Sequence, residues 1–137
     1  MATKQGSCFC GKVRISVEGE PITTVTCHCL DCRKITGSVF STNRLTPGSS
    51  FKLISGEPKT ISTTGESGNE VVSHFCGDCG STLWRDGKSF GDNKVVKAGV
   101  LDDYEALNEL KPAGELFVKH RVNWVSEFPG AAQKETA

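Results

Sequence analysis

The arrangement of seven cysteines constrains this 137-residue chain more than any other feature of its sequence. They fall into three groups with short internal spacings: Cys8 and Cys10; Cys27, Cys29 and Cys32; and Cys76 and Cys79. An odd number of cysteines cannot all pair as internal disulfides. The first residues carry no apolar segment typical of a secretory signal, so we expect a cytoplasmic protein. In that compartment clustered cysteines hold metal more often than they form disulfides.

The spacings of two of these groups are those of zinc ligands. Residues two apart in an extended strand point to the same face, so Cys8 and Cys10 can present two sulfurs to one ion. Cys76 and Cys79 form a C-x-x-C pair whose turn contains two glycines, which give the backbone the freedom that a tight turn requires. Two such pairs, distant in sequence, supply the four thiolates of a closed structural zinc site.

Cys27, Cys29 and Cys32 then remain as a second set of ligands. Three protein ligands leave a fourth position open on zinc, and that open position distinguishes catalytic from structural sites. We therefore predict two zinc ions per chain, with these three cysteines at the catalytic one. Three thiolates around a divalent cation leave an excess negative charge, which Arg33 and Lys34 are placed to offset. The same two cations are candidates to bind an anionic substrate.

Other assignments of the ligands stay open at this point. The group at 27–32 could instead be completed by one cysteine from elsewhere, or by a histidine, which would make it structural. His28 lies between two ligand cysteines, so in extended backbone it points away from their face. His74 is more typical of an ordinary surface or core histidine. Gly37 and Ser38 are candidates to bring backbone N–H groups to a substrate, or they mark a transition from loop to strand.

The rest of the chain predicts a mainly β domain with one or two short helices. Alternating apolar residues at 13–17 indicate a half-buried strand, and short apolar or β-branched runs continue the pattern. We predict a helix at 102–110, a last strand at 116–124, and tails at 1–6 and 130–137 around a single domain. The other predicted strands are 22–26, 38–45, 51–54, 59–63, 70–75, 81–85 and 94–101.

Charge and hydropathy limit the partners. Sixteen basic and 16 acidic residues give a formal net charge of +0. A nucleic-acid-binding domain needs a basic face, and the short basic run at 119–121 is too small to provide one. No stretch reaches the 18 apolar residues of a membrane span. These features favour a small-molecule partner over nucleic acid or membrane.

The three cysteine groups, read with their flanking residues, resemble the glutathione-dependent formaldehyde-activating enzyme family, which includes the centromere protein V domain. Weaker similarities follow in V-K-A-G-V-L-D-D at 96–103 and V-K-H-R-V-N-W at 118–124, so the resemblance runs from residue 7 to about 124. The motifs that carry it are S-C-F-C-G at 7–11, C-H-C-L-D-C-R-K-I-T-G-S at 27–38 and F-C-G-D-C-G-S at 75–81.

The resemblance implies a tent-like fold of packed antiparallel sheets stapled by zinc. It implies a structural zinc held by Cys8, Cys10, Cys76 and Cys79. It also implies a second, looser zinc at the group 27–32, beside a glutathione site. In the founding activity, glutathione and formaldehyde combine to S-hydroxymethylglutathione. We therefore predict a carbon–sulfur lyase that acts on a small-molecule thiol or glutathione adduct. The alternative is a zinc-stapled binding module without catalysis.

Overall fold

The computed structural model describes residues 2–137. This part of the chain contains eleven strands, which form two sheets. Two short helices are present in that part, α1 (Leu30–Thr36) and α2 (Ala106–Glu109). The predicted mainly β class with short helices is therefore confirmed. The strands are β1 (Thr3–Ser7), β2 (Arg14–Glu18), β3 (Thr23–Cys27), β4 (Ser41–Thr46), β5 (Phe51–Ser55), β6 (Lys59–Thr64), β7 (Glu70–Phe75), β8 (Thr82–Asp86), β9 (Lys94–Lys97), β10 (Gly114–Leu116) and β11 (Ala132–Gln133).

The two sheets pack through the alternating apolar residues of β2. The small sheet has the order β1-β2-β5, and the large sheet has the order β11-β10-β3-β4-β9-β8-β7-β6. Ile15 and Val17 are fully buried and share one core cluster with Leu83 and Trp84 of β8 and Val96 of β9. Neighbouring strands run antiparallel except at β10, which runs parallel to both β3 and β11.

Both segments predicted to be tails contain strands. Residues 3–7 form β1, which pairs with β2 along its whole length, and β11 at Ala132–Gln133 pairs with β10. Neither segment has the alternating apolar residues that signal a strand. Each forms a strand because it pairs with a neighbouring one, and the sequence alone does not show that pairing. Gly6 shows how close the approach is, since a Cβ added there would lie 2.8 Å from the carbonyl oxygen of Val100.

Three further element predictions need correction. The helix expected at 102–110 is reduced to Ala106–Glu109, and β9 ends at Lys97. The strand expected at 116–124 ends at Leu116 and is followed by a 3₁₀ turn at Val118–His120. The sequence did not predict a helix at Leu30–Thr36, because it spans only two turns and has no apolar periodicity.

Glu115 joins the C-terminal segment to the large sheet. Its side chain is fully buried on β10, and one carboxylate oxygen lies 2.8 Å from Nε2 of His28. The other oxygen accepts hydrogen bonds from the backbone N–H of Phe128 at 2.8 Å and from Nε2 of Gln133 at 2.7 Å. Arg121 lies 3.4 Å from the same oxygen. Burial alone would raise the pKa of Glu115, but these donors lower it to about 2.

This carboxylate predicts a specific acid sensitivity. Since the folded pKa lies below the ordinary value of 4.5, ionised Glu115 stabilises the fold above pH 4.5 and loses that effect as the pH falls towards about 2. Glu115→Gln should lower the free energy of unfolding at neutral pH by about 3–5 kcal/mol, because it breaks a buried charge network. Urea unfolding measured from pH 7 to pH 2 should show the two proteins converging below pH 4.5. Acid protonates cysteine ligands in both the wild type and the variant, so the difference between their free energies of unfolding is what reports Glu115. A difference that stayed constant from pH 7 to pH 2 would contradict the low pKa of Glu115.

Candidate metal centre

The structure brings together the same two sets of cysteines that the sequence predicts. In each set, the sulfur atoms all lie within 4.8 Å of one another. All seven cysteines are free thiols. We call the two sets the four-cysteine cluster (Cys8, Cys10, Cys76 and Cys79) and the three-cysteine cluster (Cys27, Cys29 and Cys32).

The four-cysteine cluster is formed by two tight turns that face each other. The sulfurs of Cys8 and Cys10 are 3.6 Å apart, and those of Cys10 and Cys76 are 3.7 Å apart. A tetrahedral zinc with Zn–S bonds of about 2.3 Å places its sulfurs about 3.8 Å apart, so the observed spacing fits such an ion. Gly80 ends the second turn at φ 83°, where its N–H donates to the carbonyl of Cys76.

Hydrogen bonds prepare this cluster for a cation. The backbone N–H of Val13 points at the sulfur of Cys8 at 3.3 Å. The Ser81 hydroxyl lies 3.4 Å from the sulfur of Cys79, and its hydrogen bond lowers the pKa of that thiol to about 5. An ion pair of 2.9 Å between Lys12 and Asp78 ties the two turns together. The lowered pKa values of Cys8 and Cys79 favour the deprotonated sulfurs that zinc requires. Burial and the neighbouring cysteines raise the pKa of Cys10 to about 11, so its deprotonation needs the cation.

The three-cysteine cluster sits where β3 passes into α1. Cys27 ends β3, Cys29 is the N-cap residue of α1, and Cys32 lies in the first turn of that helix. The sulfur of Cys29 accepts a hydrogen bond of 3.3 Å from the backbone N–H of Cys32, so one ligand candidate also caps the helix. His28 points to the opposite side, towards Glu115, as the alternation along the strand predicts. His74 belongs to neither cluster and stacks on Trp84 at 4.3 Å.

The thiols of the three-cysteine cluster compete for negative charge. Hydrogen bonds from Cys27 and Cys29 lower the pKa of Cys32 to about 2, and the charge of Lys97 assists. The neighbouring thiols and burial raise the pKa of Cys27 well above its ordinary value. The cluster therefore carries one thiolate readily, while further deprotonation needs a cation. Soft sulfur donors of this kind fit zinc.

A cavity of about 540 Å³ opens onto the three-cysteine cluster, and all three cysteines line it. Two buried cations also line it, Arg85 on β8 and Lys97 on β9, each exposed by 7%. Nζ of Lys97 donates a 2.8 Å hydrogen bond to Oδ1 of Asn43. Arg85 lies 3.7 Å from the carboxylate of Asp31, which precedes Cys32 on α1. The cavity thus joins the sulfur atoms to a positively charged part of the sheet.

None of the four predicted substrate residues lines this cavity. Arg33 and Lys34 sit on α1, half-buried and exposed respectively. Gly37 ends the helix at φ 67°, and its N–H donates to the carbonyl of Arg33. The N–H of Ser38 donates to the Thr36 hydroxyl at 3.0 Å. Their role in substrate binding therefore stays a prediction.

Sequence reasoning missed the two cations inside the cavity. A signal was present for Lys97, which lies two residues after Val95 on one strand and so shares its face. Both residues line the cavity. Arg85 likewise lies two residues after buried Leu83 on β8. A charged residue near the end of a short strand is nevertheless more typical of the surface, which hides that signal.

Comparison with known proteins assigns the chain to a family. The family model described as "Glutathione-dependent formaldehyde-activating enzyme" matches residues 3–120. The chain belongs to this family. The match takes in both cysteine clusters, so the predicted resemblance is confirmed. No curated protein matches the sequence significantly.

A solved structure shares the fold of this chain. The crystal structure of a Rhodobacter sphaeroides protein superposes with a TM-score of 0.58 at 20% sequence identity. The similarity covers 77% of this chain and 96% of that one. Among residues 2–137, no helix combines the length and the apolar character needed to cross a bilayer.

Proposed function

We propose that this protein is a zinc-dependent carbon–sulfur lyase of small thiol adducts, with glutathione adducts of aldehydes as its substrates. The observation that carries the proposal is a cluster of only three cysteines that opens into a cavity, next to a closed cluster of four. A purely structural role needs no second, three-ligand cluster. The family match supports a glutathione-related substrate. Free thiols in such number suit a reducing compartment, and we propose the cytoplasm.

The donor sets define what each cluster would hold. The four-cysteine cluster would hold a structural zinc, because its four sulfurs lie within 4.8 Å of one another and match the ligand number of a closed site. The three-cysteine cluster would hold the catalytic zinc and leave one position to the sulfur of the substrate. Zinc bound there lowers the pKa of a coordinated thiol and so favours its thiolate form. Three thiolate ligands make zinc a weak Lewis acid, which favours thiol chemistry over hydrolysis.

Residues of the chain supply charge balance and position. Burial lowers the pKa of Lys97, but charge on the three cysteines raises it, so thiolates at the cluster would favour the ammonium form. In that form Lys97, with Asn43 as its hydrogen-bond partner, would offset the excess negative charge of three thiolates. Arg85 holds α1 against the sheet through Asp31, and thereby fixes the helix that carries Cys32. Arg33 and Lys34 on the outer surface of α1 remain our candidates for a glutathione carboxylate outside the cavity. Gly37 and Ser38 remain candidates at the end of the same helix.

The proposed reaction is balanced without a further reactant. In the lytic direction the carbon–sulfur bond of S-hydroxymethylglutathione breaks, its electrons remain on sulfur, and the hydroxyl oxygen forms the aldehyde carbonyl. The hydroxyl proton leaves and ends on the glutathione thiol. In the synthetic direction the thiolate attacks the carbonyl carbon and the oxygen takes up the proton. Positioning the two partners supplies most of the acceleration in such a scheme.

Two measurements on the gently purified protein test the proposal. Elemental analysis without chelator should give about two zinc ions per chain, since both clusters fit one. NMR exchange spectroscopy can measure the exchange of formaldehyde with glutathione. Because the reaction also proceeds spontaneously, the rate in buffer alone is the control, and the rate with the protein should exceed it. Two zinc ions with no faster exchange of any aldehyde adduct would reject the enzyme and leave a zinc-stapled binding module.

A further inference from the structure

Most of the exposed wall of the cavity beyond the sulfur atoms is apolar, although polar and charged residues also line it. The strands of the large sheet contribute residues from one face, where the register places Thr23 beside Leu45 and Leu45 beside Val95. Phe90 and Phe117 extend this wall outside the sheet. The apolar side chains that line the cavity from the sheet are Val25, Leu45, Val71, Val95 and Leu116.

Except for Lys134, which is exposed, the charged side chains that line the cavity already have partners among residues 2–137. Arg85 is paired with Asp31 at 3.7 Å, and Lys97 bonds to Asn43 and faces the cysteines. Glu66 at the rim is bound by His120 at 2.8 Å and by Lys119 at 3.4 Å. A glutathione backbone carries two carboxylates and an ammonium, each of which needs a polar partner. The interior therefore suits a part of the substrate other than the peptide.

The size of the cavity also exceeds what a one-carbon group requires. Cavities of about 300–1,000 Å³ accommodate ligands of drug size, and this one measures about 540 Å³. A hydroxymethyl group is not much larger than a water molecule, whose share of liquid volume is about 30 Å³. Most of the apolar wall would remain uncovered by formaldehyde. A larger apolar group on the sulfur would cover it.

Phe117 gives an independent indication at the same place. It is the only residue other than glycine with a positive φ in residues 2–137, at φ 55° and ψ 43°. Its ring is exposed by 9% and packs against Cys27 and Cys32. A bulky residue in the left-handed region is strained, and such strain collects at functional sites. The strained residue is therefore also the one that places an aromatic ring next to the sulfur atoms.

We propose that the cavity binds the apolar substituent of a glutathione–aldehyde adduct, an aryl or branched alkyl group on the hydroxyl-bearing carbon bonded to sulfur, and that Phe117 selects for it. The inference rests on the proposed function and narrows its substrate class. The conjugate sulfur lies at the three-cysteine cluster, the apolar group fills the space between Phe117 and Val95, and the peptide lies towards the opening. Conjugates of larger aldehydes are then better substrates than the adduct of formaldehyde.

Stable thioethers of glutathione test this selection by binding alone. We would titrate the zinc-loaded protein with S-methyl-, S-butyl-, S-hexyl- and S-benzylglutathione by calorimetry. The sulfur and peptide are constant across the series, so the differences report the substituent. Each buried methylene should tighten binding about fourfold, and S-benzylglutathione should bind at least about tenfold more tightly than the S-methyl compound.

Variants then locate the effect. Phe117→Gly keeps the left-handed backbone without strain and removes the ring, so it should fold, hold its zinc and lose most of the preference for the benzyl compound. Val95→Phe reduces the same cavity from β9 and should remove the preference even if the first variant folds poorly. Trp124→Ala, an exposed aromatic outside the cavity, is the matched control and should leave the series unchanged.

The outcomes separate this inference from the proposed function. Equal affinity for all four thioethers would overturn the apolar selection while leaving glutathione as the substrate thiol. A second outcome is that no glutathione compound binds, but phenylmethanethiol binds the wild type and not Val95→Phe. The apolar selection then stands and the glutathione assignment fails. Absence of binding by both kinds of ligand would overturn the selection.

Discussion

Replacing Cys76 with serine is expected to abolish cooperative folding. Cys76 is exposed by only 2% and lies in the same core cluster as Ile15 and Leu83. Its sulfur is 3.7 Å from that of Cys10, so it joins the turn after β7 to the turn after β1. Structural zinc in small domains contributes about 10–16 kcal/mol of binding energy, which is comparable to the whole stability of a domain, about 5–15 kcal/mol. Since binding energy at a closed site is folding energy, loss of one thiolate removes much of that stability.

Circular dichroism during thermal unfolding would measure the effect. We expect a single cooperative transition for the wild type and none, or one at much lower temperature, for Cys76→Ser. Wild-type protein stripped with a strong chelator should behave like the variant, and adding zinc back should restore only the wild type. A Cys76→Ser protein that lost one zinc and kept the wild-type transition would show that the four-cysteine cluster does not stabilise the fold.

The cysteine clusters could be predicted from sequence because their geometry is local. Cysteines two or three residues apart can be brought together by one short segment, as in the turn that holds Cys76 and Cys79. Cys8 and Cys10 also meet, but in the turn after β1 rather than in the extended strand that we expected. Which cysteine group joins which other is the only long-range part of the prediction. With three groups and seven cysteines, few ways of dividing them between two metal sites were possible. The alternation at 13–17 predicted β2 for the same reason, since Ile15 and Val17 are buried by period two alone.

The parts that the sequence did not predict depend on residues far apart in the chain. β1 and β11 are strands because β2 and β10 lie beside them. Glu115 gains its low pKa from Gln133, Phe128 and His28, the last of which is 87 residues earlier. The cavity is formed by one face of several strands together with the C-terminal segment. No window of the sequence contains such an arrangement, so its cations and its apolar wall appear only in the fold.

Cys29→Ser should remove the second zinc and the activity while the fold survives. Cys29 is the least buried member of the three-cysteine cluster, since Cys27 and Cys32 are exposed by only 8% and 3%. Its second role, capping α1 by accepting a hydrogen bond from the N–H of Cys32, can be taken over by serine, which is among the preferred N-cap residues. The substitution therefore removes a thiolate with little effect on the helix.

The expected result has three parts that a damaged fold would not give together. Zinc should fall from about two ions per chain to about one, the thermal transition should stay within a few degrees of wild type, and aldehyde–glutathione exchange should fall to its rate in buffer. Loading with Co²⁺ gives a readout apart from activity, because the thiolate-to-metal absorption should decrease to that of one cluster. Exchange at the wild-type rate with one zinc per chain would reject the three-cysteine cluster as the catalytic site. Since Cys76→Ser removes the other zinc and the fold with it, opposite responses of the two variants would assign one ion to stability and one to chemistry.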